Sequence, residues 1–202
     1  MTYRILPSQE YLRECFDYDP STGALTWRIR PQSHFKLAGA WKAWNKRTAG
    51  KRADYLHISR KTGQRTIRCT LDYRVVFAHR VIWKLMTGED AAEIDHRDID
   101  STNNRFKNLR SATRQQNTHN IRTRSRYGKG VYLRVHKHCV SYGAAITVNQ
   151  KMIHLGSYRT PAEANEAYRL AALKYYGEYA RWTDRLAQRK ENGLDEAALP
   201  SE

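Results

Sequence analysis

Cysteine is scarce and scattered. The chain has three, Cys15, Cys69 and Cys139, and no CxxC pair. An odd, dispersed set argues against a disulfide framework and against a cysteine-based zinc site. Long apolar runs are lacking: none approaches the ~18 residues that a membrane span needs. The opening MTYRILPSQEYLREC has no apolar core of the signal-peptide kind. A soluble protein of a reducing cytoplasm, with no membrane partner, is the expectation. No internal repeat is present. Acidic residues are few, 20 Asp and Glu against 36 Lys and Arg, for a net charge of +16 in 202 residues.

The positive charge recurs along most of the chain and points to an anionic partner, nucleic acid first. Membrane-surface binding is the rival, and no long amphipathic basic helix supports it. Hydrophobic residues make up 40%, enough for a packed core. The length suits one medium domain or two small ones.

Five regions can be separated: a strand-rich, basic region at 1–70, a chemical core at 71–122, a basic linker at 123–128, a second pattern at 129–182 and a flexible polar tail at 183–202. The first opens with a helix candidate, SQEYLRECF, with Ser8 as N-cap. The turn DPSTG, the strand ALTWRI and a basic connection over 31–54 of little period follow. YLHIS and RTIRCTL read as strands around Lys61-Thr62-Gly63. In VVFAHRVIWKLMTG a strand passes into a helix near His79, stopped by Gly88. EIDHRDID is one side of a hairpin, and SATRQQNTHNIR a helix with Ser111 as candidate N-cap. GVYLRVH, SYGAAITVN and KMIHLGSY suit three antiparallel strands with turns at 136–138 and 149–150. TPAEANEAYRLAALKYYG is a helix with Thr160 as N-cap, Pro161 at its first position, Glu163 in a capping box and Gly177 at its end. Ala164, Ala167, Tyr168, Ala171 and Tyr175 share one face.

Asp95 and His96 carry the candidate chemistry. A carboxylate, an imidazole and an amide oxygen from Asn117 on a later helix would hold one hard divalent cation, magnesium or manganese, and one general base. With so much positive charge, the matching substrate is a phosphodiester. Asn117 is preferred to His119 as ligand, because Asn117 and Asn120 share a helix face that His119 leaves. Asn108 could orient His96. Strand alternation puts Asp95 and His96 on opposite faces, so both serve one site only where the strand twists or ends. Asn103 and Asn104 read as turn residues and His79 as a core histidine. His57, His136, His138 and His154 read as surface or strand polar residues, and Trp41 and Trp44 as packing residues rather than base-stacking ones.

AHRVIWKLMTG followed by EIDHRDIDSTNNRFKNLRSATRQQNTHN resembles the HNH homing endonucleases of phages and mobile introns, in the branch with asparagine at the last motif histidine. The AHR strand, the DH pair, NNR-x-x-NLR and the QN helix occur in family order and spacing. With the DPSTGALTW opening the resemblance spans roughly 18–122. It implies an α+β protein with a ββα-metal finger, Asp95 and Asn117 as ligands of one divalent ion, Mg2+ or Mn2+, His96 as general base on a bent strand end, and Asn108 positioning His96. One position departs: family members often have glycine where this chain has Ile99, and isoleucine resists positive φ, which predicts a reshaped turn.

Residues 127–182 resemble the Apetala-type (ethylene-response-factor) DNA-binding domain, through YGKGVYLRV, IHLGSY and TPAEANEAYRLAALKYYGEYAR. The likeness implies a small three-stranded antiparallel sheet that enters the major groove, with one helix behind it. Arg134, Lys137, Tyr132 and Lys151 become candidate DNA contacts, Arg134 able to read guanine and lysine suited to phosphate. The two resemblances together imply a metal-dependent endonuclease acting on double-stranded DNA, one strand per site, as monomer or homodimer, in the cytoplasm of a phage-infected bacterial host. The basic 31–54 and 122–126 segments would help to hold the duplex. The alternatives are a DNA-binding regulator on an inactive nuclease fold and a nucleic-acid packaging protein.

Overall fold

The computed structural model describes residues 5–120, 125–137 and 139–180, the side chain of Asn120 excepted. His138, residues 122–124 of the basic segment and linker, and the 183–202 tail lie outside the described residues. The chain divides into two compact units, Met1–Arg114 and Gln115–Glu202.

In the first unit Ser8 caps α1 (Gln9–Cys15), its hydroxyl accepting from Tyr11 N at 3.2 Å. The helix was expected to include Phe16, but Phe16 opens β1 (Phe16–Asp19), where Phe16 and Tyr18 turn inward at strand period. β1 pairs antiparallel with β2 (Ala24–Trp27) across the DPSTG turn.

The stretch 31–54, expected to be a basic connection of little period, holds regular structure. It contains a one-turn 3-10 helix (Gln32–His34) and α2 (Ala38–Thr48). No residue of α2 is buried and no side chain caps its start, so neither ordinary helix signal is present. Side chains on one point hold it: Trp41 Nε1 and Asn45 Nδ2 both donate to the Arg30 carbonyl, at 2.8 and 2.9 Å. Arg30 itself is buried among the rings of Tyr11, Trp27, Phe35 and Trp44 and paired with Asp72 at 2.8 Å. Trp44 sets its edge against Trp27, as the packing reading expects.

β3 (Asp54–Ile58), β4 (Arg65–Leu71) and β5 (Arg74–Phe77) form one antiparallel sheet in that order. Ile67, Cys69 and Leu71 of β4 alternate into the core. β5 runs into α3 (Ala78–Thr87), which Gly88 ends at φ +81°. α3 buries Val81, Ile82 and Leu85, each fully buried side chain contributing roughly 1.5–3 kcal/mol. β6 (Glu93–His96) then pairs with β7 (Leu109–Ala112), and α4 (Arg114–Asn120) follows. Ser111 is therefore not a helix cap: it lies in β7 opposite Ile94. One hydrophobic core runs from Leu6 to Leu109, so the residues before and after position 71 share it.

In the second unit β8 (Val131–Val135), β9 (Val140–Val148) and β10 (Lys151–Tyr158) form an antiparallel sheet with β9 in the middle. Asn149 and Gln150 both take positive φ, the two-residue turn that matches strand twist. α5 (Pro161–Tyr176) packs on this sheet through Ala164, Tyr168, Ala171 and Ala172. Thr160 accepts from Glu163 N at 3.2 Å, and the Glu163 carboxylate reaches back to Arg159 N at 3.1 Å. Tyr175, expected on the packed face, is 41% exposed, and Tyr176 packs instead. Helices mixed with several small antiparallel sheets are compatible with the α+β class.

Candidate functional site

The hairpin β6–β7 sets the candidate residues. Asp95 and His96 are the last two residues of β6, 5% and 8% exposed. Register puts Arg110 directly across from Asp95. Arg110 Nε and Nη2 both donate to Asp95 Oδ2, at 2.8 and 2.6 Å, and both side chains are buried. Such a pair is held by geometry, since a lone buried carboxylate would be strongly disfavoured.

The loop between the strands is tied by Asn108 and Asp98. Asn108 Nδ2 donates to Asp98 Oδ1 at 2.9 Å and to the Asn103 carbonyl at 2.8 Å, and its Oδ1 accepts from Asp98 N at 3.1 Å. Asn103 Nδ2 donates to Asp98 Oδ2 at 2.6 Å. Asn108 thus fixes the loop, and these bonds do not run to the imidazole. Ile99 sits in this loop at φ +66°. The expected reshaping does not occur: isoleucine takes the left-handed conformation itself, with Ile99 N donating to His96 O at 2.9 Å.

One side chain that meets His96 is Asn104, expected to be a turn residue. It is 1% exposed, and its Oδ1 lies 3.0 Å from His96 Nε2. With Nε2–H donating, the neutral imidazole carries its lone pair on Nδ1, the tautomer a base needs on that nitrogen. Asn104 Nδ2 is buried with no hydrogen-bond partner among the described residues. A buried amide satisfied at one end only is rarely placed for folding alone. The one sequence signal for it was the doubled Asn103-Asn104, which turn propensity explained too easily.

His79 also packs against the imidazole. Its ring meets that of His96 edge-on at 5.2 Å and stacks on Phe77 at 5.3 Å. Burial, then the neighbouring His96 and Arg80, pushes its pKa down to about 3, so it is neutral at ordinary pH. It is a packed histidine, as expected, but one packed against the candidate base. Asn117 lies half-buried on α4 in the second unit. There His119 stacks on Tyr176 at 3.6 Å, and burial, with Lys129 nearby, lowers its pKa. Lys129 Nζ closes the end of α4 by donating to the Thr118 and His119 carbonyls.

Two of the four candidate DNA contacts come together. Arg134 Nη2 donates to the Tyr132 hydroxyl at 3.0 Å and Nη1 to Ser157 Oγ at 2.8 Å. The Tyr132 ring lies over Gly143, where a Cβ would come within 2.5 Å of it. His154, read as a strand polar residue, joins them with Nδ1 at 3.2 Å from the Tyr132 hydroxyl. Lys137 and Lys151 do not join: Lys137 is in the turn before Val140, and Lys151 pairs with Val148 at the other end of β9. The eight residue-to-residue rises along this nine-residue strand put roughly 26 Å between those ends.

Carboxylate and amide oxygens, the atom types that Asp95 and Asn117 carry, suit a hard divalent cation rather than zinc. Among the described residues no group of three or more His, Cys, Asp or Glu could hold a metal. Most ligands of such an ion would come from water and a substrate phosphate. Among the described residues no helix is long and apolar enough to cross a membrane. No curated protein and no solved structure matches the chain. Residues 76–119, which span α3, the β6–β7 hairpin and most of α4, match the family model of the HNH endonuclease, and the match points to nuclease activity on DNA.

Proposed function

We propose that this chain is a metal-dependent HNH endonuclease of the homing type that hydrolyses phosphodiester bonds of double-stranded DNA, one strand per site. The observation that carries the reading is His96, fixed by Asn104 beside the buried carboxylate of Asp95, within the segment that matches the nuclease family. Asp95 and Asn117 would hold one divalent cation, Mg2+ or Mn2+, and Asn117 enters on motif order alone. When bound, the cation supplies positive charge at the scissile phosphate and at the departing 3′ oxygen. His96 Nδ1 takes a proton from water as the water oxygen bonds to phosphorus and the P–O3′ bond breaks. Asn104 holds the imidazole at Nε2 throughout, and the 3′ oxygen takes a proton from solvent.

The second unit serves as the DNA-docking module, of Apetala type, with Arg134 and Tyr132 at its centre and Lys137 and Lys151 as outlying phosphate contacts. A double-strand break then requires a homodimer or a second binding event. The rival reading, a DNA-binding regulator without cleavage, draws on one observation: Arg110 already occupies Asp95 Oδ2.

The test is cleavage of supercoiled plasmid and phage-type genomic DNA with magnesium, with manganese and with chelator, wild type beside His96→Ala. Metal-dependent nicking that the variant loses, with DNA affinity kept, is the expected result. Equal loss of binding and cleavage sinks the general-base role. Tight binding with no cleavage by wild type favours the regulator.

A further inference from the structure

The DPSTG turn and the strand before it are bound to the loop that carries Asn104. The Tyr18 hydroxyl donates to the Asn104 carbonyl at 3.1 Å and accepts from Phe106 N at 2.7 Å. One phenol oxygen thus fixes the backbone on both sides of Arg105. Arg105 Nε reaches across to the Ser21 carbonyl at 2.5 Å. Gly23, at φ +78°, lets the two backbones touch: a Cβ there would lie 2.7 Å from both Asn104 C and Arg105 N. The turn itself is stiff. Asp19 accepts from Ser21 N, Ser21 Oγ and Thr22 Oγ1 at 2.7–2.8 Å, and these bonds hold its carboxyl down to about 2.

We infer that Tyr18 and Gly23 are positioning residues for His96: the β1–β2 hairpin is a brace that aims the Asn104 amide oxygen at His96 Nε2 and so selects the imidazole tautomer. This rests on the proposed role of His96. The physical case is local. Asn104 is a loop residue, and a loop amide has many ways to turn. Its side chain is aimed only if the backbone on either side is immobile. The core contacts of the loop end at Phe106 and Leu109, after Asn104. What grips Asn104 and Arg105 from the other side is the hairpin, through one phenol, one guanidinium and one missing Cβ. Burial pushes the Tyr18 phenol above its ordinary value, so the proton stays where it donates to Asn104. The DPSTG turn carries no Lys or Arg, and the hairpin acts on the chemistry through hydrogen bonds at the loop.

The test reads the His96 imidazole nitrogens by long-range 1H–15N correlation in the full-length protein without metal or DNA, assigned by difference with His96→Ala. Wild type is expected to show the single Nε2–H tautomer. Tyr18→Phe keeps the ring and removes both bonds; Gly23→Ala pushes the Asn104 backbone. Each should give a tautomer mixture, as Asn104→Ala also should. Leu12→Ala, which truncates a fully buried side chain on α1, is the stability control and should leave the signature unchanged. In cleavage assays Tyr18→Phe should slow single-turnover nicking by about tenfold with DNA affinity unchanged, the usual scale for a residue acting through another. If Tyr18→Phe and Gly23→Ala fold and keep the wild-type nitrogen shifts, the brace is refuted. The same holds if Leu12→Ala shifts them equally. If the tautomer responds as expected but wild type cuts no DNA, the brace stands and the nuclease reading fails.

Discussion

Ile99 holds a backbone conformation that isoleucine disfavours, and its substitution tests the loop in a way no contact can. The φ of +66° puts a β-branched residue in the left-handed region, a strain of about 1–2 kcal/mol. Ile99→Gly alone is ambiguous, because strain relief is offset by the loss of a half-buried side chain. Comparing Ile99→Gly with Ile99→Ala removes that problem, since both truncate the chain. At an ordinary φ alanine is the more stable by about 0.5–1 kcal/mol, because glycine has more chain entropy to lose. At +66° the strain on alanine exceeds that term, and glycine should win by about 0.5–1 kcal/mol. For the Met1–Arg114 unit that is a Tm difference of roughly 2–4 °C, readable by calorimetry or urea titration. Alanine equal to or above glycine would refute the left-handed turn. Because the loop keeps its bonds with isoleucine in place, Ile99→Gly should leave nicking nearly unchanged. A gain beyond about tenfold, 1.4 kcal/mol on the barrier, would mean that isoleucine distorts the site.

Other substitutions probe the charges. Arg110→Ala takes two guanidinium bonds from the buried Asp95 carboxylate and should destabilise the first unit by roughly 3–5 kcal/mol in urea unfolding; a loss below about 1 kcal/mol would mean the pair is not buried in solution. His79 has its folded pKa depressed, from the ordinary 6.5 to about 3, so the unfolded chain binds the extra proton between those values. Stability should therefore fall as pH drops from 6.5 towards 3, and His79→Phe should flatten the curve there by up to about 1.4 kcal/mol per pH unit. An unchanged slope would place His79 in water. Arg134→Ala should weaken DNA binding by roughly 1–3 kcal/mol if it reads a base; a uniform loss with a salt slope smaller by about one marks a phosphate contact. Anisotropy titrations over a salt series separate these, and unchanged binding removes the second unit's sheet as the docking surface.

What was legible in the sequence follows periodicity and capping. Thr160, Pro161 and Gly177 marked α5, and Gly88 marked the end of α3, because caps are local chemistry. α2 was invisible because nothing of it is buried; its anchor is the Arg30 carbonyl, a tertiary partner that no window of sequence contains. Ser111 misled because its hydroxyl fits a cap, while its position opposite Ile94 is set by hairpin register. The same division runs through the candidate site. Asp95 and His96 stood out as an acid beside an imidazole. Asn104 did not, because an asparagine in a polar loop is explained by the loop, and only the fold shows it facing inward at 1% exposure. Arg110 was likewise hidden, since its meaning is the cross-strand place opposite Asp95. Residues that react announce themselves by type. Those that aim them do so by position, and position here is decided by Gly23, whose missing side chain lets a turn at residues 19–23 reach a loop more than eighty residues later.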